Sequence, residues 1–241
     1  MDSEKIIRSA ILLFFTLVTL STKGQVYTIA EEDYENVSFT QEIHKDISKY
    51  VGVYTFGMSE SETLLVINTH GNEVVAQIRS FEWIMDSNYK TNGYKHIFQT
   101  LSNVRIKNGR LISDELEGQF VNVKEKNFSG SALLTERVSY KEIVNLAFGF
   151  KSESLDDYYS GDYQFASYRL LSKEELMTYS KEELRIMRNE IFARYEYDFK
   201  SGGEMEKYFE NQEWYNPNNK DVASLLTDFE IKNIKLIRSL E

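Results

Sequence analysis

The spacing of apolar residues divides the chain into regions of different period. From Tyr50 to Thr135 the pattern alternates, as expected of strands with one buried face. In "YVGVYTF" Tyr50, Gly52, Tyr54 and Phe56 fall on one face. "ETLLVI" and "EVVAQIRSF" flank "NTHGN", a hairpin-turn composition. "NVRIK" and "RLIS" flank Asn108-Gly109, the strongest hairpin signal in the chain, because Asn-Gly supplies the positive φ angles of a type I′ turn. "ELEGQFVNV", the turn "KEKN" and "FSGSALL" complete six or seven short strands. Short strands joined by tight turns predict an antiparallel sandwich or small barrel. From Ser172 the period becomes helical. Three capping boxes, Ser172 with Glu175, Ser180 with Glu183 and Thr227 with Glu230, mark helix starts. A shorter helix is expected over "GEMEKYFENQ", stopped near Pro217.

The ends and joins complete the division. Residues 1–24 read as a signal peptide: Lys5 and Arg8 precede a twelve-residue apolar run, "SAILLFFTLVTL", and "STKGQ" offers small residues before a cut at Gln25. The alternative is an uncleaved anchor helix. Residues 25–48 are an acidic, irregular lead-in. Residues 49–150 form the β domain, with "SYKEIVNLAFGF" a short helix or a last strand. The Ser/Asp-rich segment 151–171 is expected as linker, and 172–241 as a separate helical domain. The fold class is α+β. The β part looks loosely like a lipocalin-type meander.

The helical part carries a sharper likeness. "EELRIMRNEIFARYEYDF", Trp214-Tyr215 and Glu230 with Asn233-Ile234 resemble the YARHG domain in order and spacing. The family's Tyr-Ala-Arg-His-Gly motif reads Phe192-Ala193-Arg194-Tyr195-Glu196 here, so its first, fourth and fifth positions differ. Glu196 stands where a glycine would tolerate a left-handed helix end. The likeness picks out Arg188, Asn189, Glu190, Arg194, Trp214, Tyr215, Glu230 and Asn233 as a structural motif. It implies a bacterial, exported protein and no established activity.

On a helical wheel Arg188 shares the apolar face of Leu184, Met187, Ile191 and Tyr195. Glu230 and Asn233 lie inward on the last helix. A buried guanidinium needs a partner, so Arg188 is expected to reach Glu230, with Asn233 completing the hydrogen bonds. Trp214 and Tyr215 are expected to pack the helical domain.

Composition narrows the chemistry. A net charge of −10 argues against nucleic-acid binding. The chain has no cysteine, so neither disulfides nor thiolate ligands are available. His44, His70 and His96 are placed in lead-in, turn and loop, far apart, and read as surface residues. No nucleophile-elbow, zinc, phosphate-loop or calcium-loop motif occurs. The pairs Glu174-Glu175, Glu182-Glu183 and Asp156-Asp157 suit helix starts better than glycosidase chemistry. No catalytic, cofactor or metal site is expected. No transmembrane span is expected in the mature chain, and the location is periplasmic, cell-surface or secreted. The best reading is a binding or scaffold protein whose partner is an envelope polymer or protein. A small-ligand carrier with an open barrel, or an enzyme without a recognisable motif, are the alternatives. A cleft holding His70 or His96 beside a carboxylate and a hydroxyl would favour the last.

Overall fold

The computed structural model describes residues 26–29, 32–35, 37–57, 63–85, 91–124, 129–136, 146–152 and 154–241. The expected signal peptide and the "KEKN" turn lie outside the described residues. The fold is an antiparallel sheet followed by a small helical region. Twelve strands form one sheet among the described residues: β1 (Val26–Ile29), β2 (Glu32–Glu35), β3 (Phe39–Gln41), β4 (Gly52–Phe56), β5 (Thr63–His70), β6 (Glu73–Met85), β7 (Thr91–Thr100), β8 (Arg105–Lys107), β9 (Arg110–Ile112), β10 (Glu117–Lys124), β11 (Ser129–Glu136) and β12 (Leu146–Lys151). The main path runs β7-β6-β5-β4-β12-β11-β10-β9-β8 and does not close. Pairing is antiparallel except between β1 and β12.

The sheet curls on itself. Tyr54 of β4 and Phe120 of β10 lie three strands apart along the path, yet their ring centroids are 5.7 Å apart. On a flat sheet that separation would be about 14 Å. Tyr50 stacks on the same ring at 4.1 Å. Phe56, Leu65, Ile67, Leu111 and Leu133 fill the enclosed core. The Asn108-Gly109 hairpin forms as its composition predicts, with φ of 51° and 71°.

Two expectations about this region need correction. The lead-in is not irregular: it supplies β1, β2 and β3, short strands held by pairing of β1 with β12, β2 with β1 and β3 with β10. "TNGYKHIFQT" is strand β7, which extends the β6 hairpin and carries His96 on a strand, not in a loop.

The helices are α1 (Leu155–Tyr158), α2 (Phe165–Tyr168), α3 (Lys173–Leu176), α4 (Lys181–Ala193), α5 (Glu204–Phe209) and α6 (Asp228–Arg238). Ser180 with Glu183 and Thr227 with Glu230 form full capping boxes. Ser172 caps the Glu175 amide, but the Glu175 carboxylate turns to Arg169 instead of closing a box. The expected linker is also not a linker. It holds α1 and α2, and it is bound on both sides: Leu155 and Tyr159 pack on Val53 and Val66 of the sheet, and Ala166 joins the core of α4 and α6.

The helical region therefore sits on the sheet through a polar seam. The Gln77 side-chain amide donates to Tyr195 Oη at 3.0 Å and to the Leu225 carbonyl at 2.8 Å. Tyr195 Oη in turn donates to Glu230 Oε2 at 2.7 Å. All three side chains are buried, so each polar atom that finds a partner avoids a desolvation penalty of about 1–3 kcal/mol.

Candidate functional site

The arginines inside the apolar face of α4 take partners other than the expected one. Arg188 does not meet Glu230: its Nε donates to Glu241 Oε1 at 2.6 Å and its Nη2 to Glu241 Oε2 at 3.0 Å. Glu230 Oε2 is taken by its own helix start and by Tyr195, the carboxylate is fully buried, and Arg188 meets Glu241 instead. Arg194, four residues from Glu190, is the deeply buried arginine. It forms an ion pair with Glu190 and reaches the Ser160 carbonyl at 2.7 Å and Ser167 Oγ at 2.9 Å. Glu190 accepts the Asp162 and Tyr163 amides at 3.0 and 2.7 Å. Gly161 (φ +102°) allows this approach, since a Cβ there would strike the Glu190 carboxylate. Burial pushes the Glu190 carboxyl up and the Arg194 guanidinium down, and the attraction between them opposes both shifts. The pair ties residues 160–167 to α4.

The other motif residues also bond within the fold. Asn233 accepts the Leu171 amide and donates to the Ala166 and Arg169 carbonyls. Asn189 donates to the Arg185 carbonyl one turn back. Tyr215 Oη donates to the Tyr197 carbonyl, and its ring packs on Phe199 and Phe209. Trp214 packs edge-on against Phe209, and it also lines a cleft.

That cleft, about 280 Å³, lies where the sheet meets the helical region. Two registered pairs on one face of the β6–β7 hairpin form its floor: Arg79 opposite Phe98, then Phe81 opposite His96. Tyr158, Tyr159, Arg194, Glu196 and Trp214 close it from the helical side. Arg79 sits among the rings of Phe98, Tyr158, Tyr159 and Tyr195, with its Cζ 4.9–5.7 Å from their centroids. Its Nε donates to Gln77 Oε1 at 2.7 Å, and its terminal nitrogens reach the Tyr158 and Tyr159 hydroxyls at 3.4 and 3.3 Å. Burial opposes its charge, but the phenol oxygens and Glu230 outweigh burial, so it stays a cation.

Glu196 has the least ordinary position in the cleft. It is a non-glycine residue at φ +62° and is 6 % exposed. The Asn218 and Asn219 amides donate to its carbonyl at 2.8 and 2.9 Å and hold it there. Its Oε1 lies 2.5 Å from His96 Nδ1. A carboxylate can only accept, so Nδ1 carries the proton and Nε2 is left as the second ring nitrogen. Glu196 Oε2 is buried without a hydrogen-bond partner among the described residues. The left-handed turn is that of a helix end, and it sets the Glu196 side chain at the cleft beside His96.

Comparison with known proteins bears on the helical side of this cleft. Residues 158–241 match the YARHG domain. No curated protein and no solved structure matches the chain. The YARHG domain thus begins at Tyr158, before the expected boundary at Ser172, and includes the tyrosines around Arg79. No helix among the described residues is long and apolar enough to cross a membrane. Nor does any group of three or more His, Asp or Glu residues among them form a candidate metal site.

Most of the cleft lining carries no mark in the sequence. Arg79 and Phe81 lay in a recognised strand without any distinguishing motif. His96 was assigned to the surface. The alternation Tyr94, His96, Phe98, Thr100 was the signal that could have placed it on a strand.

Proposed function

We propose that the chain is an exported binding module of the bacterial cell envelope, and that its ligand enters the cleft between the sheet and the YARHG domain. The observation that carries this reading is the pair of His96 and Glu196: a buried carboxylate from the helical side holds the imidazole of the sheet at the cleft. The apolar run near the N-terminus supports export, with a mature chain beginning near Gln25. The cleft is near the lower end of the range for ligand pockets, about 300–1,000 Å³.

The His96–Glu196 pair would also suit a general base, because the carboxylate fixes the imidazole tautomer. Binding is the better reading, because none of the lining hydroxyls, of Ser80, Ser160, Tyr158 and Tyr159, is hydrogen-bonded to His96, and the two tyrosines are engaged with Arg79. The test is retention of the exported chain on fractionated envelope material, wild type against His96→Ala and Phe81→Ala. Retention lost in both variants, with unchanged folding by circular dichroism, supports the cleft. Equal retention of all three chains rules it out.

A further inference from the structure

The face that forms the cleft floor continues past it. Along β6 and β7 the pairs on this face run Gln77 with Thr100, Arg79 with Phe98, Phe81 with His96 and Trp83 with Tyr94. The YARHG domain covers the first two. The third opens into the cleft. The fourth stands in solvent, with Trp83 40 % and Tyr94 48 % exposed. Ring follows ring along this track: Phe81 to Trp83 at 5.6 Å, Trp83 to Tyr94 at 6.1 Å and Tyr94 to His96 at 5.2 Å. Exposed aromatics running without a break into a polar cleft mark an interaction surface rather than scattered surface residues.

The charges in the cleft say what kind of ligand suits it. Arg194 is neutralised by Glu190, and Arg79 lies in the field of Glu230. Glu196 brings a carboxylate to the lining. Donors and acceptors of both signs are present, and neither sign is in large excess. An anion would meet Glu196, and a cation would meet Arg79. A neutral ligand with many hydroxyl groups meets no such opposition. Hydroxyls both donate and accept, and planar guanidinium and carboxylate groups can each engage two of them at once. Its apolar C–H faces would lie on the aromatic track.

We propose that the groove binds a carbohydrate chain, with one sugar ring in the cleft at Arg79, His96 and Glu196 and the following rings on Trp83 and Tyr94. This assignment rests on the reading of the cleft as the binding site. The chain has two tryptophans, and both flank the groove, so intrinsic fluorescence reports its occupancy.

The exported chain is titrated with chitotetraose, with cellotetraose, with the monosaccharide of each, and with tetraalanine amide as a neutral peptide. Calorimetry repeats each titration for the variants. At least one tetrasaccharide is expected to shift the emission saturably and to bind about tenfold or more tighter than its monosaccharide. Trp83→Ala should weaken the tetrasaccharide about three- to tenfold, the contribution of one aromatic contact, and leave the monosaccharide unchanged. Glu196→Ala should weaken both. Saccharides that leave the emission unchanged at millimolar concentration overturn the proposal, as does a response to the peptide alone. If the saccharides fail while envelope retention still depends on His96, the sugar assignment falls and the cleft reading stands. If a saccharide binds the Trp83 and Glu196 variants as strongly as wild type, it binds elsewhere and the sugar assignment falls, while the cleft reading is decided by the retention of the His96 and Phe81 variants.

Discussion

Replacing Glu196 by glycine should stabilise the protein while weakening its binding. The left-handed conformation at φ +62° costs a non-glycine residue about 1–2 kcal/mol, and glycine adopts it freely. The buried, unpartnered Oε2 costs about 1–3 kcal/mol more. Two terms oppose these gains. The charge-assisted hydrogen bond to His96 contributes about 2 kcal/mol, and the extra backbone freedom of an unfolded glycine costs about 0.5–1 kcal/mol. The balance is a gain of about 1 kcal/mol, or a rise in Tm of about 2–4 °C for a chain of this size. Glu196→Ala separates the backbone from the carboxylate, because alanine loses the side chain but keeps the strain. The glycine variant should be about 0.5–1 kcal/mol more stable than the alanine variant once the unfolded-state term is subtracted. Urea unfolding followed by tryptophan fluorescence measures all three chains. Both variants should show weaker retention on envelope material. An alanine variant as stable as the glycine variant would refute the strain argument. A glycine variant that unfolds at lower urea than wild type, with the same slope, would show that the carboxylate contributes more to folding than to function.

Other consequences can be checked on the same unfolding curves. Glu230→Ala removes the α6 capping box and the carboxylate acceptor of the Tyr195 hydroxyl, and should cost about 2–3 kcal/mol; a loss below about 0.5 kcal/mol would contradict this account. Gln77→Leu takes one of two donors from the Leu225 carbonyl, which keeps Thr100 Oγ1, and leaves the Arg79 Nε–H without its partner at the seam; it should cost about 1–3 kcal/mol, seen as a lower urea midpoint. Gly149→Ala drives a Cβ into the Phe56 ring and should cost about 1–3 kcal/mol, whereas Gly71→Ala, with open space around it, should show only the penalty of its left-handed φ. The Arg169 guanidinium bonded to Glu175 holds its carboxyl below the usual carboxylate range, so this pair stabilises the fold above the unfolded-state pKa and the effect is lost as pH falls through the lower folded value. Glu175→Gln should therefore flatten the acid limb of the stability profile below about pH 4, and an unchanged limb would count against the pair.

What could be read from the sequence was what a local pattern encodes. The Asn108-Gly109 hairpin and the caps at Ser180 and Thr227 each depend on residues within a few positions, and each formed as expected. β1, β2 and β3 were illegible because they are only three or four residues long, and β1 and β3 depend on partners far along the chain. The segment 151–171 has the Ser, Asp and Gly content of a loop, but its tyrosines and Leu155 bind it to two cores. The partner of Arg188 was misjudged for a related reason. A helical wheel gives the direction of a side chain but not which carboxylate stands in its path, and Glu241 closes that distance first.

The candidate site shows the same limit more sharply. Glu196 was visible as a departure from glycine, and His96 as an isolated histidine, and neither fact has a function by itself. Exactly one hundred residues separate them in the chain, and only the docking of the YARHG domain on the β6–β7 hairpin makes them neighbours. Each part taken alone leaves its half of the cleft open: the sheet offers Arg79, Phe81 and His96, and the helical region offers Tyr158, Tyr159, Glu196 and Trp214. The polar seam at Gln77, Tyr195 and Glu230 fixes how the halves meet, since buried hydrogen bonds penalise any other register. Stability at the seam and geometry at the cleft are therefore set by adjacent residues on the same strand, Gln77 and Arg79, whose side chains are joined by a hydrogen bond. Ligand bound across the cleft would touch both parts, and would stabilise their docking as well as its own contacts.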